Sequence, residues 1–306
     1  MTEHKATTTS ADGATPAAAE EYITRQGKKC SVRPDVINYD DVRRMVPALD
    51  GHRRLVESVM HLIGIDKVND IHGTYCYETG IPFSHLLVDE EFKFRLRVDN
   101  EEVLSRFPEG AFITVSNHPF GGMDGIILLH LVGRYRSDFR VMVNYFLNNI
   151  RAMRSSFIAV DPIKDDSDPE KKKITMQGIR EAMAHLKAGH PLGFFPAGAV
   201  SKIDRSLHVR DREWQPSVIR LIRQMKVPVV PIYFHGHNST FFNILGLIDW
   251  RLRSLRLPRE LFRMYGKEIH ISVGEPVTPE EIAQIKENDA LGDFLRSRTY
   301  ELEKLP

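Results

Sequence analysis

From residue 92 onward, short apolar runs that fit buried strands alternate with longer stretches that fit helices. The strand-like runs lie at 92–98, 112–115, 139–143, 157–160, 192–195, 227–234 and 269–273, and the helix-like stretches lie at 124–132, 168–186, 217–225 and 279–302. Such alternation is typical of α/β folds. The sequence therefore predicts a mostly parallel sheet flanked by helices, with a short helical segment before it.

Composition divides the chain into three parts. Residues 1–35 carry few apolar side chains and are rich in Thr, Ala, Glu and Lys, which predicts a mobile tail. Residues 36–90 place apolar side chains three and four positions apart and predict an N-terminal helical segment. Residues 91–306 then form the α/β domain, and a chain of this length buries a substantial core.

The overall composition excludes several classes of protein. Apolar residues make up 42% of the chain and charged residues 27%, as in ordinary soluble proteins. We find no run of about 18 apolar residues that would span a membrane, and no apolar core of a signal peptide near the N-terminus. Cys30 and Cys76 match no metal-ligand spacing, make a disulfide scaffold unexpected and suit a reducing compartment.

The segment Ser116–Gly125, which reads SNHPFGGMDG, follows one predicted strand and precedes a helix-like apolar run. Histidine side chains in general titrate near neutral pH, and a carboxylate such as Asp124 on the second ring nitrogen of His118 would hold the tautomer of a general base. The glycines allow backbone N–H groups to approach a ligand closely. In the alternative interpretation this segment is only a turn, and Asp124 caps the helix.

Three other predicted strands are also followed by reactive or polar residues. These segments are 160–162, 195–202 and 234–238. Ligands of open parallel sheets bind beyond the carboxyl ends of the strands. We therefore expect these segments to lie near His118.

Basic and aromatic residues are concentrated between positions 202 and 263, where 12 Lys and Arg stand against 5 Asp and Glu. Within this span, residues 241–257 mix Arg with Trp, Phe and Leu. Such a pattern suits a surface that lies on anionic lipid. It is equally compatible with a solvated helix face whose apolar side packs in the core.

Three sequence blocks together resemble the glycerolipid acyltransferase superfamily, which includes lysophosphatidic acid and glycerol-3-phosphate acyltransferases. The blocks are the Asn-His pair followed by Asp124, Gly-Phe-Phe-Pro-x-Gly at 193–198 and Val-Pro-x-Val-Pro-Ile at 227–232. The resemblance covers about residues 90–275. Two features depart from the superfamily pattern: five residues instead of four separate His118 from Asp124, and Ala197 and Val200 replace a Glu and an Arg associated with glycerophosphate binding.

Both departures resemble the hemolysin-like branch, related to ornithine- and glycine-lipid O-acyltransferases. The resemblance implies a lipid O-acyltransferase without a cofactor or a metal. Its donor would be a thioester of acyl carrier protein or coenzyme A. Its acceptor would be a lyso-lipid, in this branch the hydroxyl of an N-(3-hydroxyacyl) amino acid. We also expect peripheral attachment to the cytoplasmic face of a bacterial cell membrane through residues 241–257, and no nucleic-acid partner.

In this interpretation His118 is the general base and Asp124 orients it. Backbone N–H groups of Gly121, Gly122 or Gly198 would stabilise the oxyanion. The full set of predicted substrate-binding residues is Asn117, Gly121, Gly122, Phe195, Pro196, Gly198, Ser201, Lys202 and Arg205.

Three other functions remain open at this stage. The first is a lysophosphatidic acid acyltransferase of phospholipid synthesis, and the second is a lipid-binding protein without activity. The third is a metal-dependent hydrolase, for which the ligand types are present at His118, Asp124, Asp161, His235 and His237. A serine hydrolase is disfavoured because the chain contains no Gly-x-Ser-x-Gly segment.

Overall fold

The computed structural model describes residues 21–161, 168–204 and 208–305. Its strands are β1 (Tyr22–Ile23), β2 (Lys29–Cys30), β3 (Arg95–Asp99), β4 (Ile113–Ser116), β5 (Arg140–Asn144), β6 (Phe157–Val160), β7 (Leu192–Phe194), β8 (Lys202–Ile203), β9 (Val209–Arg210), β10 (Val229–Phe234) and β11 (Glu268–Val273). The α-helices are α1 (Tyr39–Met45), α2 (Arg53–Ile63), α3 (Ile65–Tyr75), α4 (Ile81–His85), α5 (Glu102–Ser105), α6 (Gly122–Gly133), α7 (Pro169–Lys187), α8 (Pro216–Met225), α9 (Thr240–Ile248), α10 (Trp250–Phe262), α11 (Pro279–Gln284) and α12 (Asn288–Glu301). Short 3-10 segments and one π-helical segment, Leu86–Glu91, connect some of them.

Seven strands form the central sheet, in the order β3-β11-β10-β4-β7-β5-β6. The pair β10–β11 is antiparallel, and the other five neighbouring pairs are parallel. The predicted α/β class with a mostly parallel sheet is therefore confirmed. Its physical basis is visible in β4 and β10, whose residues are all buried and which lie in the interior of the sheet.

The two faces of the sheet carry separate hydrophobic cores. Helix α6 lies on one face, and nearly all of its residues are buried because the α4 region covers its outer side. Helices α7, α8 and α12 contribute apolar residues to the core on the other face. A helix such as α6 that is apolar on all sides must be buried on all sides, here by the sheet and by the α4 region.

Helices α1 to α4 occupy the region where the sequence predicted a helical segment. The preceding residues differ in part from the expected tail, because β1 and β2 form a hairpin that packs on the end of α3. Cys30 belongs to this hairpin, and its Sγ atom lies 3.4 Å from the Sγ atom of Cys76, which directly follows α3. Residues 1–20 lie outside the described residues. Among the helices that the structure describes, none is both long and apolar enough to cross a membrane.

Five parallel strands, β10, β4, β7, β5 and β6, end at the same edge of the sheet. The turn that leads from β4 into α6 lies at this edge, and so do the segments that follow β6, β7 and β10. The expected convergence of these segments thus follows from the strand directions.

Candidate active site

His118 and Asp124 are in direct contact across the turn between β4 and α6. The Nδ1 atom of His118 lies 2.9 Å from Oδ2 of Asp124. Gly121, with φ of +80°, reverses the chain at the N-cap of α6 and brings the third helical residue back toward the imidazole. The positive φ suits glycine because no Cβ is present to clash. The five-residue spacing is therefore compatible with the contact.

The Asp124 carboxylate is fully buried, and Oδ2 also accepts hydrogen bonds from the backbone N–H groups of Phe120 (2.9 Å) and Gly121 (3.0 Å). Burial raises the pKa of Asp124, while the His118 contact and these two N–H groups oppose the rise. The carboxylate therefore both fixes the turn, as in the alternative sequence interpretation, and contacts the imidazole.

The His118 ring is held from a second side by Phe195, which follows β7. The ring centroids are 4.3 Å apart and the planes are inclined by 27°. Although Nδ1 is close to Asp124, the direction of approach lies outside ordinary hydrogen-bond geometry. Only 17% of the His118 side chain is exposed, so substrate has access to one part of the ring.

A second buried carboxylate, that of Asp211, supports the backbone of His118. Its Oδ1 atom accepts from the His118 backbone N–H (3.1 Å) and from the Ser201 hydroxyl (2.6 Å). The Ser201 N–H in turn donates to the His118 carbonyl oxygen at 2.9 Å. Burial raises the pKa of Asp211. Sequence reasoning missed this residue, because it lies in a polar segment with no periodicity and 93 positions from His118.

Asn117 joins the ends of two strands. Its side-chain NH2 donates to the carbonyl oxygen of Phe234 (2.8 Å), and its Oδ1 atom accepts from the Phe234 N–H (2.7 Å). Both functional groups of the buried amide are thereby occupied by β10. These two hydrogen bonds tie the turn after β4 to the end of β10, and the predicted contact of Asn117 with substrate stays a prediction.

A cavity of about 430 Å³ opens beside His118, between the sheet edge, α7 and α8. Four of the residues that the sequence interpretation proposed for substrate binding lie in its wall, namely Gly121, Gly122, Phe195 and Gly198. The apolar part of the wall consists of Met142, Val143, Leu147, Phe157, Val160, Ile179, Met183, Phe194, Val218 and Leu221. The volume lies in the ordinary range for small-molecule sites.

The three glycines suggested as oxyanion donors differ in their hydrogen bonds. The N–H of Gly121 binds Asp124, and that of Gly198 donates to the Phe195 carbonyl oxygen at 2.9 Å. Gly122 is the first residue of α6 and lines the cavity. Amides of the first helical turn have no acceptor within their own helix. Gly122 is thus the best placed of the three.

The remaining predicted residues lie at varied distances from the cavity. Pro196 is buried, and its carbonyl oxygen accepts from the Gln215 N–H at 2.8 Å. Ser201 is occupied by Asp211, as described above. Lys202 is exposed in the β8–β9 ribbon and does not contribute to the cavity wall. Arg205 lies outside the described residues. Among the described residues of the wall, Arg220 carries the permanent positive charge, and the sequence interpretation did not select it.

The residues suggested as metal ligands do not form one cluster. His235 stacks on His270, with ring centroids 3.7 Å apart, and His270 contacts Asp99 at 2.5 Å. Within the described part of the chain, the side-chain groups close enough to share a metal are His85–Asp89–His130 and Asp99–His235–His270. Neither includes His118 or Asp124. A metal centre at His118 therefore has no support from the side-chain arrangement.

The basic and aromatic stretch folds into the α9–α10 hairpin, which lies over the turn between β4 and α6. The buried guanidinium of Arg253 donates to the carbonyl oxygens of Ser201 (3.1 Å) and Val200 (3.0 Å). A Cβ atom on Gly121 would lie only 2.9 Å from Leu257. The outer face of the hairpin exposes a set of large apolar side chains, Phe241, Ile244, Leu247, Ile248, Trp250, Leu252 and Leu255.

A family model described as acyltransferase matches residues 67–305. The chain belongs to this acyltransferase family and is an enzyme that transfers acyl groups. It is similar to the lyso-glycine lipid O-acyltransferase of Bacteroides thetaiotaomicron, with 27% identity over 201 residues (63% of this chain and 71% of the relative). It is also similar to the enzyme of that name from Phocaeicola vulgatus, with 23% identity over 287 residues (89% and 98%).

Among solved structures, the crystal structure of the 1-acyl-sn-glycerophosphate (LPA) acyltransferase from Thermotoga maritima aligns with a TM-score of 0.44 and 17% identity. The alignment covers 70% of this chain and 73% of that chain.

Proposed function

We propose that this enzyme transfers a fatty acyl group from an acyl carrier protein or coenzyme A thioester to the hydroxyl of a lyso-lipid. Its preferred acceptor is an N-(3-hydroxyacyl) amino acid, and the names of its two relatives favour glycine as the amino acid. The observation that carries the proposal is the contact between His118 and Asp124 beside an apolar cavity. A base oriented by a buried carboxylate suits a reaction in which the acceptor itself is the nucleophile.

In this reaction Nε2 of His118 removes the proton of the acceptor hydroxyl as the oxygen attacks the thioester carbonyl carbon. The negative charge that develops on the carbonyl oxygen is stabilised by the Gly122 N–H at the start of α6. The tetrahedral intermediate then collapses, the carbon–sulfur bond breaks, and the thiolate leaving group takes the proton from His118. Asp124 stabilises the imidazolium between these two steps.

The apolar wall of the cavity accommodates a fatty acyl chain. Its side chains come from β5, β6, β7, α7, α8 and the 3-10 segment Tyr145–Asn149. Because His118 also lines this cavity, the thioester end of the chain would lie beside the base. Burial of apolar chain surface contributes about 25 cal/mol per Å². Binding of the donor would thus depend on chain length up to the end of the cavity.

The acceptor head group is recognised by the polar part of the wall. Ala197 and Val200 occupy the positions of the Glu and Arg that other members of the resembled superfamily use for glycerophosphate. Arg220 is exposed at the cavity and could bind a carboxylate through a bidentate pair. A free carboxylate is present in an N-acyl amino acid, and we assign it to Arg220.

The α9–α10 hairpin docks the enzyme on the cytoplasmic face of the membrane. Leu247 and Ile248 are 66% and 71% exposed. On the same hairpin Arg259 is exposed, whereas the Arg256 guanidinium lies over the Phe241 ring and pairs with the buried Glu260 carboxylate at 3.2 Å. Exposed apolar side chains beside arginines suit the interface of an anionic bilayer. Because this hairpin also contacts the turn that carries His118, docking would bring the cavity close to its lipid substrates.

The test is acyl transfer by the purified protein on vesicles that contain anionic lipid. Acyl carrier protein and coenzyme A thioesters are each offered with an N-(3-hydroxyacyl) glycine and, separately, with lysophosphatidic acid. We expect O-acylated product from the amino-acid lipid, and loss of turnover in His118→Ala with the melting temperature retained.

The other outcomes separate the alternatives. Product from lysophosphatidic acid alone would identify a phospholipid acyltransferase and overturn the assignment of the acceptor. Binding of lipid without product, with His118→Ala indistinguishable from the unaltered protein, would instead identify a lipid-binding protein that retains the fold.

A further inference from the structure

The two cysteines of the chain meet in the folded protein although 46 positions separate them. Cys30 ends β2 of the N-terminal hairpin, and Cys76 directly follows α3. Their Sγ atoms are 3.4 Å apart, both side chains are buried, and the Cys76 thiol donates to the Cys30 sulfur. No feature of acyl transfer uses them, so this juxtaposition requires an explanation of its own.

We propose that Cys30 and Cys76 are a redox pair that closes to a disulfide by exchange with a low-molecular-weight disulfide such as oxidised glutathione. One protein thiolate attacks a glutathione sulfur and releases one reduced glutathione. The second protein thiolate then attacks the resulting mixed disulfide and releases the other. Two thiols and one oxidised glutathione thus become one protein disulfide and two reduced glutathione molecules, which balances atoms and electrons.

The folded environment controls when the exchange takes place. Burial raises the pKa of the Cys76 thiol to about 12, so in the closed structure little thiolate forms at neutral pH. The hairpin that covers it consists of two two-residue strands, and it is attached to the end of α3 by such contacts as the Arg25 N–H on the Gly73 carbonyl oxygen (2.9 Å). Short peripheral units of this kind open at lower free energy than the core. Exchange therefore follows opening of the hairpin.

The disulfide would join the hairpin covalently to α3 and enclose helices α1 to α3 in one loop. Closure of a loop restricts the unfolded chain, so the oxidised protein is expected to melt about 5–10 °C above the reduced protein. In a compartment with reducing glutathione the pair remains as two thiols. The covalent state of the N-terminal region would thus report the redox poise around the protein.

The experiment refolds the full-length chain from reducing denaturant into buffer with oxidised and reduced glutathione, and in parallel into reduced glutathione alone. Thiols are then trapped by alkylation, and intact mass, peptide mapping and thermal melting are measured. We expect the oxidised sample to resist alkylation, to lose the mass of two hydrogens and to yield one linked peptide pair containing Cys30 and Cys76. Its higher melting temperature should revert on addition of dithiothreitol.

Alkylation of both thiols after oxidising refolding would overturn the proposal, and so would glutathione on each cysteine in place of the internal bond. An oxidised protein that melts no higher than the reduced one would do so as well. Cys30→Ser is the matched control, since its hydroxyl can still donate to the Val32 carbonyl oxygen that the Cys30 thiol contacts. Its melting temperature should not respond to glutathione, and the alkylation of the unaltered chain decides the question even if this variant fails to fold.

Discussion

Substitution of Asp124 by Asn tests how the buried carboxylate acts on His118. The amide oxygen of Asn can occupy the place of Oδ2 and keep the hydrogen bonds from the Phe120 and Gly121 N–H groups. The turn should therefore keep its shape. What disappears is the negative charge 2.9 Å from Nδ1 of His118.

The loss of rate follows from the separation of the charges. A unit charge at this distance from the imidazolium interacts with it by about 4–6 kcal/mol at an effective dielectric constant of about 20. The neutral imidazole of the ground state loses much less electrostatic stabilisation than the imidazolium does. Most of the lost interaction energy is therefore added to the activation free energy. At 1.36 kcal/mol per tenfold, we expect kcat to fall by roughly 10³-fold.

The assay measures release of the donor thiol at saturating donor and acceptor, together with the melting temperature of each variant. Asp211→Asn is the matched control, because Asp211 is the other buried carboxylate beside His118 but contacts only its backbone N–H. The amide oxygen preserves that hydrogen bond, and kcat should stay within tenfold of the unaltered enzyme. If kcat of Asp124→Asn also stays within tenfold of that of the unaltered enzyme, the electrostatic role of Asp124 is refuted.

Four further outcomes are expected. Asn117→Ala leaves the buried N–H and carbonyl of Phe234 without partners and should lower the free energy of unfolding by about 2–4 kcal/mol in denaturant titrations. Ile179→Trp fills part of the cavity and should shift preference to shorter acyl donors in competition assays, unlike Ile179→Val. Replacement of both Leu247 and Ile248 by Asp should weaken sedimentation with anionic vesicles by about 10²-fold, while activity on short soluble substrates is kept. Burial raises the folded-state pKa of Asp211, so its stabilising contribution is present below the unfolded pKa and is lost as pH rises through the folded value. Asp211→Asn should therefore melt no lower than the unaltered protein at neutral pH. Any excess of its melting temperature over that of the unaltered protein should shrink in acid.

Local patterns in the sequence were sufficient to predict the fold class, and they also pointed to the segments that line the candidate site. Hydrophobic periodicity depends only on residues that are close in the chain. The alternation of strands and helices could therefore be predicted without knowledge of any tertiary contact. The polar segments that follow the predicted strands could also be located from the sequence. Because parallel strands bring their carboxyl ends to one edge of the sheet, these segments were expected to lie close together. His118, Asp124, Phe195 and Gly198 were selected in this way, and all four lie at or beside the cavity.

The pairing of side chains that are distant in the sequence follows from the packing of the fold. Asp211 supports His118 from 93 positions away, and Asn117 is occupied by Phe234 from 117 positions away. No local pattern records such pairs, since each depends on the register and order of strands that are distant in the chain. The meeting of Cys30 with Cys76 has the same origin: the spacing of two cysteines carries no information about a contact that the packing of a hairpin on a helix creates.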